Sequence, residues 1–233
     1  MAKKKRPVIA RVFIFLIFAA GVLVMLYPYY KQHIYIQEAR RAIHHFEDSV
    51  SALEQPSLEK LYKEMTEYNK RLFATNQNGL VSTEAYEQED FSISEYGFED
   101  GMLGYLSIPV MSIELPVFIG ATKENMNGGA ARLSQTSLPI GGENTNTVIA
   151  AHRGYAAAAM FRDIEILREG DLIFFTNFFE TMEYKVVETK VILPTDINSV
   201  LIQDGRDLIT LITCHPFRFN YQRYLVHGER VFN

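Results

Sequence analysis

The chain has 233 residues and a formal net charge of −5, and 48% of its residues are hydrophobic. This length and composition suit one domain with a sizeable core and exclude a disordered or collagen-like chain. The first eleven residues carry five basic side chains and no acidic one, which leaves the rest of the chain at −10. An acidic body excludes electrostatic binding of nucleic acid, because such binding needs a basic face.

Residues 8–27 form an apolar run that only Arg11 interrupts. About 20 helical residues span roughly 30 Å, the thickness of the bilayer's hydrocarbon core. The basic residues before the run predict a cytoplasmic N-terminus, with the rest of the chain outside the cell. The alternative is a signal peptide cleaved near Ala19–Gly21. Because the apolar run continues past Gly21, we expect residues 1–30 to be a basic tail and an uncleaved anchor.

Residues 31–74 have the pattern of two amphipathic helices, with apolar side chains mostly three or four residues apart. Pro56 interrupts this pattern, and Ser57 fits the N-cap of the second helix. We expect the two helices to brace the following domain above the membrane, with His44 and His45 solvated. The apolar positions of the first helix are Ile34, Ile36, Ala39, Ile43, Phe46 and Val50.

Residues 75–100 are polar and acidic and lack periodicity, which is typical of a lid or a linker. From Gly101 onwards, short apolar or alternating runs are separated by glycine, asparagine and proline. Many short strands with such punctuation predict a mainly β domain, a sandwich or a barrel, over residues 101–233. One short helix is predicted near residues 156–168.

Two polar residues follow apolar strands in the same way. Cys214, the only cysteine, ends the strand at residues 208–213, and His152 ends the strand at residues 147–151. A single cysteine excludes an intramolecular disulfide. A thiol with a nearby imidazole is a nucleophile with its base. The alternative is a buried, inert thiol and a structural histidine.

Arg223 begins the next strand, and its permanent positive charge suits an oxyanion donor or a thiolate stabiliser. The alternative for Arg223 is a surface salt bridge. His227 lies in the same strand and is a rival base. His215 adjoins the cysteine, but neighbouring side chains in a strand point to opposite faces, which makes it a poor partner. The histidine spacings do not predict a zinc site.

Several of these motifs together resemble the sortase family. Thr210–Cys214 with Arg223 nine residues later resembles the sortase signature, and Ala151–Gly154 resembles its histidine motif. The resemblance covers residues 101–232 and is greatest to class C, the pilin-polymerising sortases. It extends to Gly104–Pro109, Leu115–Val117, Ser137–Gly142, Phe161–Asp163 and the stretch from Cys214 through Asn220.

The resemblance implies a closed eight-stranded β-barrel and an acyl-transfer reaction. Cys214 would attack the Thr–Gly bond of an LPXTG-like sorting signal on a pilin or another surface protein. His152 would protonate the leaving amine, and Arg223 would hold the oxyanion or the substrate backbone. A pilin lysine would then take the acyl group. The family's chemistry needs no metal and no organic cofactor.

Class C sortases often carry a lid in which an Asp-Pro-aromatic motif covers the site. The nearest counterpart here is Glu89–Ser92, which lacks the proline. The lid interpretation predicts that Asp90 pairs with Arg223 and that Phe91 lies against Cys214. The alternative is a solvated linker.

Three other functions compete with pilin polymerisation. The first is a sortase that anchors surface proteins to peptidoglycan. The second is a non-catalytic, membrane-anchored scaffold for pilus assembly, and the third is a cysteine protease in which water takes the acyl group. The acceptor that is used distinguishes the first and third from a pilin polymerase, and an inert Cys214 would indicate the second.

Overall fold

The computed structural model describes residues 6–80, 83–88, 90–154 and 158–232. Eight strands form a closed barrel in the order β1-β2-β3-β4-β7-β8-β6-β5. The closed eight-stranded barrel that the resemblance implies is therefore confirmed. The strands are β1 (Met102–Ile108), β2 (Ile113–Ile119), β3 (Ala130–Arg132), β4 (Thr145–Ala150), β5 (Leu172–Thr176), β6 (Thr181–Ile192), β7 (Asp207–His215) and β8 (Gln222–Arg230).

The strand directions place four connections at known ends of the barrel. Strands β2–β3 and β4–β7 pair in parallel, and the other neighbouring pairs are antiparallel. Strands β1, β4, β6 and β7 therefore all finish at one end, which we call the Cys214 end. The β1–β2 turn, the β4–β5 connection and the β7–β8 loop lie there, whereas the β5–β6 turn lies at the opposite end.

Buried apolar side chains fill the barrel and two spaces around it. The barrel interior includes Leu106, Val117, Ile149, Ile173, Phe175, Leu211 and Val226. A second cluster joins the N-terminal helices to the barrel wall and includes Phe46, Leu61, Phe98 and Phe178. A third cluster holds the segment near residue 80 against the barrel and includes Leu80, Val148 and Leu225.

Two helices precede the barrel, as the sequence predicts: α1 (Arg6–Ser51) and α2 (Gln55–Ala74). A third, α3 (Lys123–Gly128), connects β2 to β3. The predicted N-cap at Ser57 is wrong, because Glu54 occupies the N-cap position of α2, without a capping side-chain hydrogen bond, and Pro56 lies in the first turn. Proline fits there since the first helical N–H groups have no intrahelical acceptor. Among the described residues, α1 is the one helix long and apolar enough to cross a membrane.

The helix predicted near residues 156–168 is also wrong. Residues 155–157 lie outside the described residues, and residues 158–168 contain only a 3₁₀ turn at Ile164–Ile166. Met160 has a φ of +43°, which a right-handed helix cannot accommodate. The apolar spacing that resembled a helix instead sends Met160, Phe161, Ile164 and Leu167 into the barrel core.

His227 belongs to a buried polar network in the barrel wall. Asn146 donates its amide protons to the carbonyls of Val200 (3.0 Å) and Leu201 (3.2 Å). Thr210 donates its hydroxyl proton to Asn146 Oδ1 at 2.7 Å, so His227 Nδ1 donates to Thr210 Oγ1 at 2.8 Å. The buried Nε2 of His227 has no hydrogen-bond partner among the described residues. Burial lowers the pKa of His227 to about 4.

We expect His227 to make the fold sensitive to acid. The unfolded chain takes up a proton near pH 6.5, whereas the folded chain does so only near pH 4. The contribution of His227 to the free energy of unfolding is therefore fully present above pH 6.5. It is lost as the pH drops from 6.5 to 4, and this loss is at most about 3 kcal/mol. In His227→Gln this part of the pH dependence should be missing. Denaturant unfolding of both proteins in detergent at several pH values measures it, and parallel curves would contradict it.

Candidate active site

The ends of three strands bring Cys214, His152 and Arg223 together. Cys214 and Arg223 are directly opposite each other in the antiparallel pairing of β7 with β8. His152 follows β4, whose last residues are tied to β7 by two bonds. Ala151 N donates to the carbonyl of Ile212 at 3.3 Å, and Thr213 Oγ1 donates to the carbonyl of Ala151 at 2.7 Å.

All three residues line one cavity of about 390 Å³. Apolar side chains form most of its walls, and the three polar residues lie after β4, near the end of β7 and near the start of β8. A cavity of this kind suits an extended peptide segment whose apolar side chains enter while its backbone lies beside the thiol. The remaining lining residues are Tyr86, Glu87, Ala121, Met126, Leu133, Ala150, Ala151, Ile192, Pro194, Asp196, Ile212 and Thr213.

Backbone carbonyls hold the guanidinium of Arg223 in place. Its Nη1 donates to the carbonyl of Asn220 at 2.8 Å and to the carbonyl of Gln222 at 2.9 Å. Both acceptors belong to the β7–β8 loop and the strand that follows it. The guanidinium is thus fixed across from Cys214, where a rigid, permanently charged donor can meet an oxyanion.

His152 is half-buried, and this burial lowers its pKa below the ordinary value of 6.5. The imidazole is therefore mostly neutral at pH 7. A neutral imidazole can take the proton of the thiol and later return it to a leaving amine. Phe161 N donates to the carbonyl of His152 at 3.0 Å, which fixes the backbone at the start of the β4–β5 connection.

Arg153, His215 and Glu165 form a charged cluster that the sequence analysis missed, and this cluster contacts the backbone of Cys214. Arg153 is buried and donates from Nη1 to His215 Nδ1 at 2.8 Å and to the carbonyl of Cys214 at 3.4 Å. Its Nη2 lies 2.7 Å from Glu165 Oε1, and this contact lowers the pKa of Glu165. His215 does not line the cavity, as its place beside Cys214 in the strand predicts. In the sequence, the one indication of this cluster was the position of Arg153 directly after His152.

The other histidines lie away from the cavity. His227, the rival base, is buried in the network with Thr210 and Asn146 and does not line the cavity. His44 and His45 are exposed on α1. Among the described residues, no group of three or more histidine, cysteine or acidic side chains could hold a metal ion.

The predicted lid contacts of Asp90 and Phe91 are wrong. The side chain of Asp90 is only 4% exposed and pairs with Arg132 of β3 instead of Arg223. It also accepts hydrogen bonds from Tyr68 Oη and from the backbone of Gln135. The buried guanidinium of Arg132 needs a counter-charge, whereas Arg223 already has backbone acceptors. Phe91 lies edge-on against Tyr68, with ring centres 5.6 Å apart.

In the segment that contains Asp90 and Phe91, the aromatic residue that lines the cavity is Tyr86. Its carbonyl accepts hydrogen bonds from the backbone of Ala121 (3.0 Å) and Ser134 (3.2 Å), which fixes the segment over the cavity. Burial raises the pKa of the Tyr86 phenol, and the positive charge of Arg223 opposes this rise. Glu89 lies outside the described residues.

Comparison with known proteins identifies the family. The sequence family described as "Sortase domain" matches residues 106–231, more than half of the chain. The chain belongs to the sortase family. Members of this family are cysteine transpeptidases, and Cys214 is the one cysteine of this chain, with a free and partly exposed thiol.

Two related proteins illustrate how far the sortase likeness extends. Sortase A of Bacillus anthracis is 35% identical over 130 residues, which are 56% of this chain and 60% of that protein. The match thus spans less than two thirds of that relative's length. Sortase A of Streptococcus agalactiae is 23% identical over 184 residues, 77% of this chain and 70% of that protein.

Solved structures of sortases C cover more of the chain. Sortase C1 of pilus island 1 of group B Streptococcus has a TM-score of 0.75 at 26% identity, covering 84% of this chain and 93% of that one. Clostridium perfringens sortase C, solved with the C-terminal cell wall sorting motif, has a TM-score of 0.73 at 32% identity. It covers 84% of this chain and 100% of that one. The likeness therefore includes the N-terminal helices as well as the barrel.

The lowered pKa of His152 predicts how Cys214 reactivity depends on pH. The rate of Cys214 alkylation by iodoacetamide should rise as His152 loses its proton, so the midpoint of this acidic limb should lie below pH 6.5. In His152→Ala this limb should be absent, and the rate should rise only as an isolated thiol ionises. His227→Gln is the control and should keep the limb. A midpoint at or above 6.5 would contradict the assignment.

Proposed function

We propose that the chain is a membrane-anchored cysteine transpeptidase of the class C type. It cleaves an LPXTG-like sorting signal between threonine and glycine and joins the threonine to a lysine of a pilin. The observation that carries this proposal is the single cavity lined by Cys214, His152 and Arg223. The likeness to sortases C over more than four fifths of the chain supports the class.

The proposed reaction has two acyl-transfer steps. The sulfur of Cys214 attacks the threonine carbonyl while His152 takes the thiol proton, and Arg223 stabilises the oxyanion. When the intermediate collapses, the threonine–glycine C–N bond breaks, and His152 gives its proton to the leaving amine. A neutral lysine amine then attacks the thioester and loses a proton to His152. The C–S bond breaks, and the thiolate regains that proton.

The proposed location follows from α1. Its apolar run is exposed, with Phe18 68% accessible and Leu23 69%, as expected for side chains that face lipid. The basic residues before this run favour a cytoplasmic N-terminus, which supports a barrel on the outer side of the membrane. We propose residues 1–30 as tail and anchor, residues 31–74 as the brace and residues 101–233 as the catalytic barrel.

The central test is polymerisation of candidate pilins that carry an LPXTG-like signal. The wild-type chain should produce a ladder of covalent pilin multimers on a denaturing gel. Cys214→Ala should abolish the ladder and keep the fold, because losing one sulfur from a strand end costs about 1 kcal/mol or slightly more. Arg223→Lys keeps the charge but loses the planar fork and should be severely impaired.

Three results would contradict the proposal. Multimers from Cys214→Ala would rule out the cysteine mechanism, and an Arg223→Lys variant as active as wild type would make Arg223 structural. Transfer to a peptidoglycan peptide amine but not to a pilin lysine would indicate an anchoring sortase. An intact thermal unfolding midpoint for each variant shows that loss of activity is not loss of fold.

We also propose that residues 83–91 act as a lid, with roles different from those in the sequence hypothesis. Asp90 holds the segment to the barrel through Arg132, and Tyr86 covers the cavity. Phe91 supports the segment by its contact with Tyr68 on α2. A closed lid lowers the fraction of molecules that can bind substrate, and so lowers the apparent affinity.

The lid proposal predicts that Tyr86→Ala exposes Cys214. If the ring contributes about 1 kcal/mol to closure, alkylation of Cys214 should accelerate roughly fivefold. Gln88→Ala is the matched control, because Gln88 is an exposed residue of the same segment that does not line the cavity, and this variant should react at the wild-type rate. Equal rates for Tyr86→Ala and wild type would contradict the lid. Asp90→Ala is unsuitable, because it leaves the buried charge of Arg132 unpaired.

A further inference from the structure

The helix α1 connects the apolar run to the barrel without a flexible linker. It is continuous from Arg6 to Ser51, with Pro28 inside it. The apolar run ends at Tyr27, and Gln32 follows five residues later, roughly 7–8 Å further along a helix. That distance is close to the thickness of the headgroup layer on one side of a bilayer. The first contact of α1 with the barrel therefore lies at the membrane surface.

Contacts along α1 fix which end of the barrel faces the membrane. Near the anchor, Gln32 Oε1 accepts a hydrogen bond from Ala159 N at 2.8 Å. Ala159 belongs to the β4–β5 connection, which is at the Cys214 end. About four turns further along α1, the ring of Phe46 lies 5.2 Å from that of Phe178 in the β5–β6 turn, at the opposite end.

A cavity beside α1 supports the same orientation. It is lined by Gln32 and Tyr35 of α1 and by Ser112 and Ile113 at the β1–β2 turn. That turn is also at the Cys214 end. Two independent connections at this end thus meet the membrane-proximal part of α1, so the Cys214 end of the barrel faces the bilayer.

Exposed apolar side chains are concentrated at this end. Outside the anchor, large hydrophobic residues that are strongly exposed are few among the described residues, and only Tyr62 and Phe232 lie elsewhere. Scattered apolar residues need no explanation, but a cluster at one end marks an interaction surface. The residues at the Cys214 end are Val110, Ile166, Val191, Leu193, Phe217, Phe219 and Tyr221.

The β7–β8 loop supplies the aromatic part of this surface. Phe219 is 58% exposed and Tyr221 57%, with their ring centres 5.5 Å apart. Phe217 packs towards Gly154 beside the side chain of Arg162, and Arg162 N donates to the carbonyl of Ala159 at 2.8 Å. Because Ala159 binds Gln32, a short series of contacts joins the aromatic loop to the membrane-proximal turn of α1.

We propose that Phe217, Phe219 and Tyr221 rest in the headgroup region of the bilayer that holds α1, so that Cys214 works at the membrane surface. The inference rests on the proposed membrane anchoring. Tyrosine is enriched in this region of a bilayer, and phenylalanine enters the boundary between headgroups and acyl chains on the apolar face of interfacial helices. Residues 215–221 include no acidic residue, so nothing in the loop repels an anionic lipid. Continuity with the anchor makes lipid the occupant, because the bilayer lies beside the loop whenever α1 is inserted.

The chain has no tryptophan, so single substitutions give unambiguous fluorescence probes. Three full-length variants are compared in phosphatidylcholine–phosphatidylglycerol vesicles: Phe219→Trp at the loop, Tyr62→Trp near the opposite end, and Phe18→Trp in the anchor. Lipids brominated in mid-chain should quench Phe18→Trp. Lipids with a headgroup nitroxide should quench Phe219→Trp roughly twofold, as expected for an interfacial side chain, and leave Tyr62→Trp unchanged.

The outcomes separate the inference from the anchoring on which it rests. If Phe18→Trp is quenched but Phe219→Trp is quenched no more than Tyr62→Trp, the anchor stands and the inference is overturned. If Phe18→Trp is not quenched, the anchoring fails and the inference fails with it. If the emission of Phe219→Trp responds only to a substrate protein and not to lipid, the loop is a protein-docking surface and the inference is overturned. Equal thermal unfolding midpoints for the three variants and the wild type establish that each probe reports on the folded chain.

Discussion

The parallel pairing of β4 with β7 is the constraint on which the active site depends. Six consecutive residue pairs, from Thr145–Asp207 to Ala150–Ile212, set both strands in one direction and one register. His152 and Cys214 therefore lie at the same end of the barrel, although 61 residues lie between them in the sequence. A register shift of one residue would turn the side chains to the opposite faces and separate the thiol from the imidazole. The buried bonds of Asn146 and Thr210 pair these two strands from within.

Much of this arrangement is predictable from local sequence. Apolar strands that end in Cys214 and His152 show which residues reach a strand mouth, and the resemblance adds Arg223 and the closed barrel. The partner of Asp90 is not predictable in this way. Arg132 lies in β3, a strand of three residues that is too short to show a pattern. Its burial, which creates the need for a carboxylate, arises only when the barrel closes. The same limit explains the irregular backbone at Met160, because that residue and Phe161 are drawn into a core that exists only in the closed barrel.

The buried pair of Asp90 and Arg132 connects two parts of the molecule that local sequence treats separately. It lies between α2, through Tyr68, and the barrel, through β3. Such a pair adds little net stability against well-packed apolar residues, but losing one partner leaves a buried charge and costs about 3–5 kcal/mol. The pair is therefore better understood as fixing the path of the 83–91 segment. With that path fixed, Tyr86 and not Phe91 is the aromatic residue that meets Arg223 across the cavity.

The proposed lid and the proposed membrane contact lie on different sides of the Cys214 thiol. On one side, Tyr86 belongs to a segment held by backbone bonds to Ala121 and Ser134, so access there requires that segment to move. On another side, the β7–β8 loop is exposed, and in the proposed orientation it lies against lipid. A pilin or surface protein that is itself tethered to the membrane would carry its sorting signal at the height of that loop. Tethering both partners to one surface raises their effective concentration without any added contact. A lid that covers Cys214 most of the time is then compatible with turnover. A tethered sorting signal stays at high local concentration and can bind during a brief opening, whereas a dilute soluble peptide would rarely be present at that moment.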